Sequence, residues 1–499
     1  MRLSRITILT GFLLLLSIYL YRIGPSIADP DIWHQMALVR EWVATGAFPY
    51  QDKFAYTETL KTVYHHEWGA GAILFFLTRI LGDHGIIALR YFLAIVLFSL
   101  VLVSARIRKI NYWLLLSLMP VWVLMIDHGF STVRGQMYSF VFFLLYLIFL
   151  EVNKKDGRWW MVAWLILHVL WVNIHGGFVL GIVATLLSYL EQLVCQHKNN
   201  KRLLLVVLGM VLLIFVNPYG YKFFAYIFHA VLMNRPIITE WVPLYKSDVL
   251  HHQLFFLVSF AFFVVVLMKR GSRNFEGFST ILFLAVATVR SWRMIDFYAT
   301  AWIYFVPVVL KDGAIENWFE TRTKSFQRGL IALCVVSSIF FSMQAMRLEP
   351  WKVKILNSVD VRFGRHVVYP VGAVNYLRAH SVTGNLLVPF DWGAYVTWEL
   401  FPNVKVSLDS RYEAAYPDYV VEEQVKLYDG GEGWEQLLPK YEKGFILTHR
   451  RLPLTQLLER SEGYKVLYSD GDWLILGARE SQLPVVHLDG YGVEGDLRW

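Results

Sequence analysis

Only two cysteines, Cys195 and Cys334, occur in 499 residues, and both fall at or within apolar stretches. That leaves neither a disulfide framework nor a thiolate metal site to build on. Charge is scarce as well: Asp, Glu, Lys and Arg make up 17% of the chain against 56% hydrophobic residues. A chain of this length and apolarity is not an ordinary soluble domain. No Gly-rich phosphate loop follows a strand-like segment, so no nucleotide is assigned. The net charge is +8, but the basic residues sit in short loops between apolar runs. That placement argues for membrane topology and against a nucleic-acid partner.

The apolar residues gather in eleven runs that predict transmembrane helices over 6–23, 86–105, 111–126, 137–152, 159–174, 177–195, 202–216, 253–268, 278–290, 297–311 and 329–347. A hydrocarbon core of about 30 Å takes about 20 helical residues to cross. With residue 1 in the cytoplasm, the clusters Arg106/Arg108/Lys109, Lys154/Lys155/Arg158, Lys198/Lys201/Arg202, Lys269/Arg270/Arg273 and Lys311/Arg322/Lys324/Arg328 all fall on the cytoplasmic side. This is the positive-inside pattern, and an odd number of crossings puts the C-terminus outside. The run after Arg2 and Arg5 reads as a retained first helix rather than a cleaved signal, although Ser26-Ile27-Ala28 faintly resembles a cleavage site. Between the first two spans, residues 24–85 are too long for a connector and carry helical patterns at 32–45 and 66–81, both read as surface helices.

Beyond residue 349 the periodicity shortens. Strand-like segments at 385–390, 404–408, 445–448, 464–468 and 473–476 alternate with helical ones, and Ser469-Asp470-Gly471-Asp472 marks a hairpin. The expected architecture is an α-helical polytopic membrane domain over 1–348, including the loop 24–85, followed by a small soluble α/β domain over 349–499 outside the cytoplasm.

The unusual polar motifs nearly all fall at the outer helix ends: Asp29-Pro30-Asp31 with Trp33 and His34, His65-His66-Glu67-Trp68, Asp127-His128 with Arg134, Asn173 to Gly177, Glu240-Trp241, and Arg290 to Arg293 with Asp296. Asp29 and Asp31 flank a proline that favours extended backbone, where residues two apart point the same way, so both carboxylates can approach one substrate group or one divalent cation. The plainer reading is that Asp31 caps the following helix and Asp29 is solvated. Arg134, Arg290 and Arg293 lie where charge near lipid is costly unless paired, and a phosphate matches the arginine fork. Ion pairs with Glu67, Asp127, Asp296 or lipid headgroups would satisfy them equally. His34, His66, Glu67, His175 and Glu240 complete the candidate substrate-binding set. The histidine spacing matches no standard zinc motif, so the metal question stays open, with a divalent cation at Asp29/Asp31 the one candidate cofactor.

DPDIWH, TGAFPYQDKFAYT and HHEWGAG in the first loop resemble bacterial GT-C type membrane glycosyltransferases. RGQMYSF, NIHGGFVLG, NPYG and GAYVTWELFPNVKVSLDSRYE resemble a branch related to their family 39 type. The resemblance implies a helical bundle in the bacterial cytoplasmic (inner) membrane, a polyprenyl-phosphate sugar donor, and a catalytic aspartate at Asp31 or Asp29. The adjacent Asp-Glu pair of the protein mannosyltransferases is missing, which separates this chain from those enzymes. The expected activity is hexosyl or pentosyl transfer to an extracytoplasmic glycan, lipid or protein. The transfer would invert the anomeric carbon, with an aspartate as general base and the three arginines at the donor phosphate. The rival class is a non-enzymatic transporter or a lipid- or glycan-binding scaffold. A transporter should carry paired broken helices or ionisable groups at mid-membrane; apart from His168 these are largely missing.

Overall fold

The computed structural model describes residues 2–153, 159–233, 235, 238–310, 317–318, 321–363, 366–488 and 495. The chain forms two compact units, one of residues 1–25 and 88–350, the other of residues 26–87 and 351–499. The basic residues Lys154, Lys155, Arg158 and Lys311, on which part of the topology argument rests, lie outside the described residues.

The first unit is a helical bundle of a multi-pass membrane protein, and every predicted span is a helix. Five helices are long and apolar enough to cross a bilayer unaided, namely Leu3–Arg22, Asp83–Ile107, Phe178–Cys195, Leu250–Arg270 and Lys324–Arg347. Shorter apolar helices accompany them, including Tyr112–Ile126, Trp159–Ile174 and Phe278–Arg290. Two of these helices start at a short polar side chain: Asn111 accepts from the Trp113 amide at 2.7 Å, and Thr323 from the Phe326 amide at 3.2 Å. Ile295–Val309 is buried from Ile295 to Pro307 and forms the centre of the bundle. In Lys324–Arg347, by contrast, only Gln327, Cys334 and Ala345 are buried. That helix lies alongside Arg2–Arg22, with Tyr21 against Phe341 at 5.7 Å and Ser17 against Ser342 at 3.4 Å, and presents Leu333, Val336, Ile339 and Phe340 outward, as lipid contact requires. One helix, Tyr221–Leu232, is not among the expected elements. It buries Phe223, Tyr226 and Ala230 along one face, exposes Tyr221, Phe224 and Phe228, and at 12 residues is too short to read as a span.

The second unit contains a six-stranded mixed sheet. Gly384–Leu387 pairs in parallel with Val404–Val406 on one side and Gly444–His449 on the other. Trp473–Ala478 adds antiparallel to Gly444–His449, and Tyr464–Ser469 antiparallel to that. The hairpin turns where expected, with Asp470 Oδ1 accepting from the amides of Asp472 at 2.9 Å and Trp473 at 2.7 Å. A short strand, Val486–His487, extends the edge.

The loop read as an appendage of the helical domain belongs to this unit. Its two predicted helices are present as Pro30–Thr45 and Trp68–Leu81, the first with Ile32, Trp33, Gln35, Met36, Ala37, Leu38 and Val39 all buried. They meet so closely that a Cβ on Gly71 would come within 2.6 Å of the Gln35 carbonyl oxygen, which only glycine avoids. Between them, residues 54–57 lie along the sheet edge: the Val406 amide donates to Phe54 O, the Tyr56 amide to Val406 O, both at 3.1 Å, and Thr57 Oγ1 to Ser407 O at 2.6 Å. Hydropathy does not register such pairing, because the partners lie about 350 residues apart in the chain.

Candidate functional site

In the second unit the first-loop carboxylates take different duties. Asp29 is the N-cap of Pro30–Thr45, extended at φ −89° and ψ 143°, and its Oδ1 accepts from the Asp31 amide at 3.1 Å. Proline at the first helical position completes the start. The cap is therefore Asp29, which is buried, and not Asp31. Helical backbone from Pro30 onward also removes the extended geometry that would have set the two carboxylates side by side. Asp31 stands in the first turn with 38% of its side chain exposed, its Oδ1 lying 3.7 Å from His34 Nε2. His66 Nε2 lies 3.6 Å from Glu67 Oε1, and Gln35 Nε2 donates to Glu67 Oε2. His65 is interior; burial, with Arg411, His34 and His66 nearby, holds its imidazole well below the usual range.

Farther along the loop, Arg411 forms a buried triad. Its Nε donates to Asp409 Oδ1 at 2.8 Å, its Nη2 to Asp409 Oδ2 at 2.7 Å, and its Nη1 to Asp52 Oδ1. Asp52 Oδ2 in turn accepts from the amides of Phe54 at 3.0 Å and Ala55 at 2.6 Å, shaping the turn that leads onto the sheet edge. Burial alone would raise the Asp409 carboxyl, and Arg411 more than offsets this and lowers it.

In the first unit, helix ends assemble one polar group at one end of the bundle. Arg134 Nη1 donates to Glu240 Oε1 at 2.6 Å and Oε2 at 2.8 Å. Arg293 Nη1 lies 3.7 Å from Glu240 Oε2, and His128 Nε2 3.5 Å from Oε1. The His128 ring rests on Trp292 at 4.1 Å. Two guanidinium groups, those of Arg134 and Arg293, thus face the Glu240 carboxylate. Glu240, read from the sequence as a substrate ligand, is thus the ion-pair partner of Arg134. Burial would raise its carboxyl, but Arg134, helped by His128 and Arg293, holds it well below the usual carboxylate range.

A carboxyl whose pKa is lowered by folding contributes stability above its unfolded value, about 4.3, and loses that contribution as pH falls toward its folded value. Glu240→Gln is accordingly expected to cost about 1.5–3 kcal/mol at neutral pH and to flatten the acid side of the stability profile. Melting temperatures of the detergent-solubilised chain between pH 7 and pH 3 check this; parallel profiles for the two proteins would refute it.

Arg290 ends the helix Phe278–Arg290 with its side chain exposed and stands outside this group. His175 faces inward: its Nδ1 lies 2.9 Å from the Gly177 amide and 2.8 Å from Ser139 Oγ, which also accepts from Trp171 Nε1.

Three residues that sequence reading passes over, Arg22, His251 and His252, gather on Asp127. Arg22 Nε donates to Asp127 Oδ2 at 2.7 Å and Arg22 Nη2 to His251 Nε2 at 2.7 Å, while His252 Nε2 lies 2.9 Å from Asp127 Oδ1. Asp127, His251 and His252 offer three ligand atoms within 4.8 Å of one another and can hold a divalent cation. The mixed nitrogen and oxygen donors suit a zinc-like ion. The Arg22 guanidinium already supplies positive charge to the same donors. The available signal was the His251-His252 doublet opening an apolar helix, where ionisable groups are costly without partners.

No protein-family model matches the chain, and no curated protein does. Solved structures do. The apo oligosaccharyltransferase of Archaeoglobus fulgidus superposes with TM-score 0.57 at 11% identity, covering 95% of this chain and 75% of that one. The same enzyme tethered to an acceptor peptide containing the NVT sequon gives 0.53 at 12% identity over 87% and 68%. Apo ArnT from Cupriavidus metallidurans gives 0.51 at 13% identity over 92% and 96%. The chain, a multi-pass helical bundle with a sheet-bearing unit, thus shares the fold of these solved structures, which match it over 87–95% of its length.

Proposed function

We propose that the chain is a membrane glycosyltransferase that moves a sugar from a polyprenyl-phosphate donor to an extracytoplasmic glycan, lipid or protein. The observation that carries this reading is an accessible carboxylate, Asp31, in the first turn of the first-loop helix on a GT-C fold. Asp29 is committed to the cap, which leaves Asp31 the better base. In the proposed step Asp31 takes the proton of an acceptor hydroxyl, the freed oxygen bonds to the anomeric carbon, and the carbon–oxygen bond to the phosphate breaks. Direct displacement inverts that carbon. The departing phosphate needs cationic stabilisation more than protonation, a role we assign to Arg134, Arg290 and Arg293 from the sequence. The peptide-tethered oligosaccharyltransferase supports an acceptor class that includes protein. The basic loops support a cytoplasmic N-terminus in a bacterial inner membrane.

The test is a lipid inventory. Cells carrying Asp31→Asn at matched expression are expected to accumulate a polyprenyl-phosphate sugar, detected by mass spectrometry of extracted lipids, and its mass identifies the sugar. An unchanged inventory in Asp31→Asn, Asp29→Asn and a deletion would overturn the transferase reading and favour a transporter or scaffold.

A further inference from the structure

The second unit surrounds the helix start that carries Asp31 with residues from the far end of the chain. Tyr369 is fully buried, and its hydroxyl donates to the Ala28 carbonyl at 2.9 Å, one residue before the Asp29 cap. Its ring meets Trp33 at 5.8 Å and Tyr395 at 5.1 Å, and Trp33 meets Tyr395 at 5.2 Å. Trp33 is itself fully buried, two residues beyond Asp31. The Ala28 amide donates to Lys354 O at 3.1 Å, and the Lys354 amide to Ser26 O at 2.9 Å. Asp31 is thus bracketed: the chain is pinned at Ala28 before it and at Trp33 after it, and Tyr369 touches both. Burial raises the Tyr369 hydroxyl well above its ordinary value, with the Asp29 and Asp31 carboxylates adding to the effect, so it stays a neutral donor to Ala28.

We propose that Tyr369 is a positioning residue for the transfer step: by holding the Ala28 carbonyl and bracing Trp33 it fixes where the Asp31 carboxylate stands. This rests on the transferase reading above. It gives the sheet-bearing part of the chain a role in the chemistry itself. The proton still passes from the acceptor hydroxyl to Asp31, and Tyr369 exchanges nothing. Its contribution is geometric, and a displacement of about 1 Å at a reacting group can cost about 100-fold in rate.

Tyr369→Phe removes one oxygen and keeps the ring. The assay uses membranes bearing the full chain and their native acceptors, supplied with the isotopically labelled polyprenyl-phosphate sugar fraction extracted from Asp31→Asn cells. Turnover by Tyr369→Phe is expected to fall about 10- to 100-fold, with KM for that fraction within about twofold, since donor binding does not use this hydroxyl. Asn357→Ala is the stability control. The Asn357 side chain accepts from the Gly372 amide at 2.9 Å and donates to Asp470 at 3.0 Å, bonds that involve neither Ala28 nor the Tyr369 hydroxyl. At equal loss of melting temperature it should retain most of its turnover. Trp33→Phe, which loosens the other side of the bracket, should repeat the loss in kcat and serves if Tyr369→Phe does not accumulate. The proposal is overturned if Tyr369→Phe keeps its kcat, if it changes KM alone, or if Asn357→Ala loses as much turnover at the same stability. Undiminished turnover by Asp31→Asn would instead remove the transferase reading.

Discussion

Changing Asp31 to asparagine is expected to slow sugar transfer by about 10²- to 10⁴-fold, the usual span of general-base assistance, or about 2.7–5.5 kcal/mol in the barrier. The variant should fold normally. Asp31 is partly exposed, it does not cap the helix, and its contact with His34 at 3.7 Å is too long for a hydrogen bond. Asp29 should behave in the opposite way. An asparagine side chain in its place would still accept from the Asp31 amide, so Asp29→Asn is expected to be nearly silent in stability, whereas Asp29→Ala removes the cap and should cost about 0.5–2 kcal/mol. Transfer rates with the labelled lipid fraction, read beside melting temperatures, separate the two residues. Asp31→Asn turning over within about threefold of the parent would sink the general-base assignment, and a larger rate loss in Asp29→Asn would transfer it to the neighbouring carboxylate.

Arg411→Met is expected to be the most destabilising single change in the second unit, by about 3–5 kcal/mol. Methionine fills much of the volume but leaves Asp52 and Asp409 facing each other with side chains 2% and 0% exposed and no cation between them. Removing one member of a buried ionic group strands the others away from water, and that penalty exceeds the net worth of the interaction. Because Asp52 also holds the Phe54 and Ala55 amides, the damage should appear first in the strand-like segment near residue 55. Limited proteolysis would then cut the loop of Arg411→Met under conditions in which the parent resists, and Arg411→Lys should recover only part of the protection, since an ammonium cannot reproduce the two-carboxylate fork. Equal resistance in all three proteins would show that the backbone pairing with Val406 holds the loop by itself.

The helices were legible because lipid demands long apolar stretches, a local property of the sequence. The two helices of the first loop were legible as helices, from Ile32, Met36, Val39 and Val43 at helical spacing and from Gly46 and Pro49 beyond them, but the pattern did not show that Ile32 to Val39 are buried nearly all round within the second unit. Asp470 and Gly471 announced the hairpin through turn chemistry. What pattern reading missed was always a partner. Arg134 was correctly seen to need an anion, yet nothing in the order of residues says that Glu240 supplies one, since the two are 106 positions apart. The Asp29–Asp31 pair looked symmetrical in sequence and is not, because a helix beginning at Pro30 turns one carboxylate inward and leaves the other in the open. Arg290 and Arg293 are three residues apart, but a helix ends between them, and only Arg293 reaches Glu240. The Asp127 group escaped because nothing in the order of residues says that His252, at the start of one helix, reaches Asp127 at the end of another 125 positions away.

The second unit also sets a schedule for the birth of the protein. Asp52 and Arg411 are separated by 359 positions, and at about 5–20 residues per second a ribosome needs roughly 20–70 s to travel between them. Throughout that interval the loop would have been made with its sheet edge unpaired, while the intervening helices were still being threaded into the bilayer. An unpaired edge is an invitation to wrong partners. Polar and charged residues in the stretch, Asp52, Lys53, Glu58 and Lys61, keep the waiting segment soluble. The pairing of residues 54–57 with Val406 and of Asp52 with Arg411 can therefore form only after the intervening helices have been made.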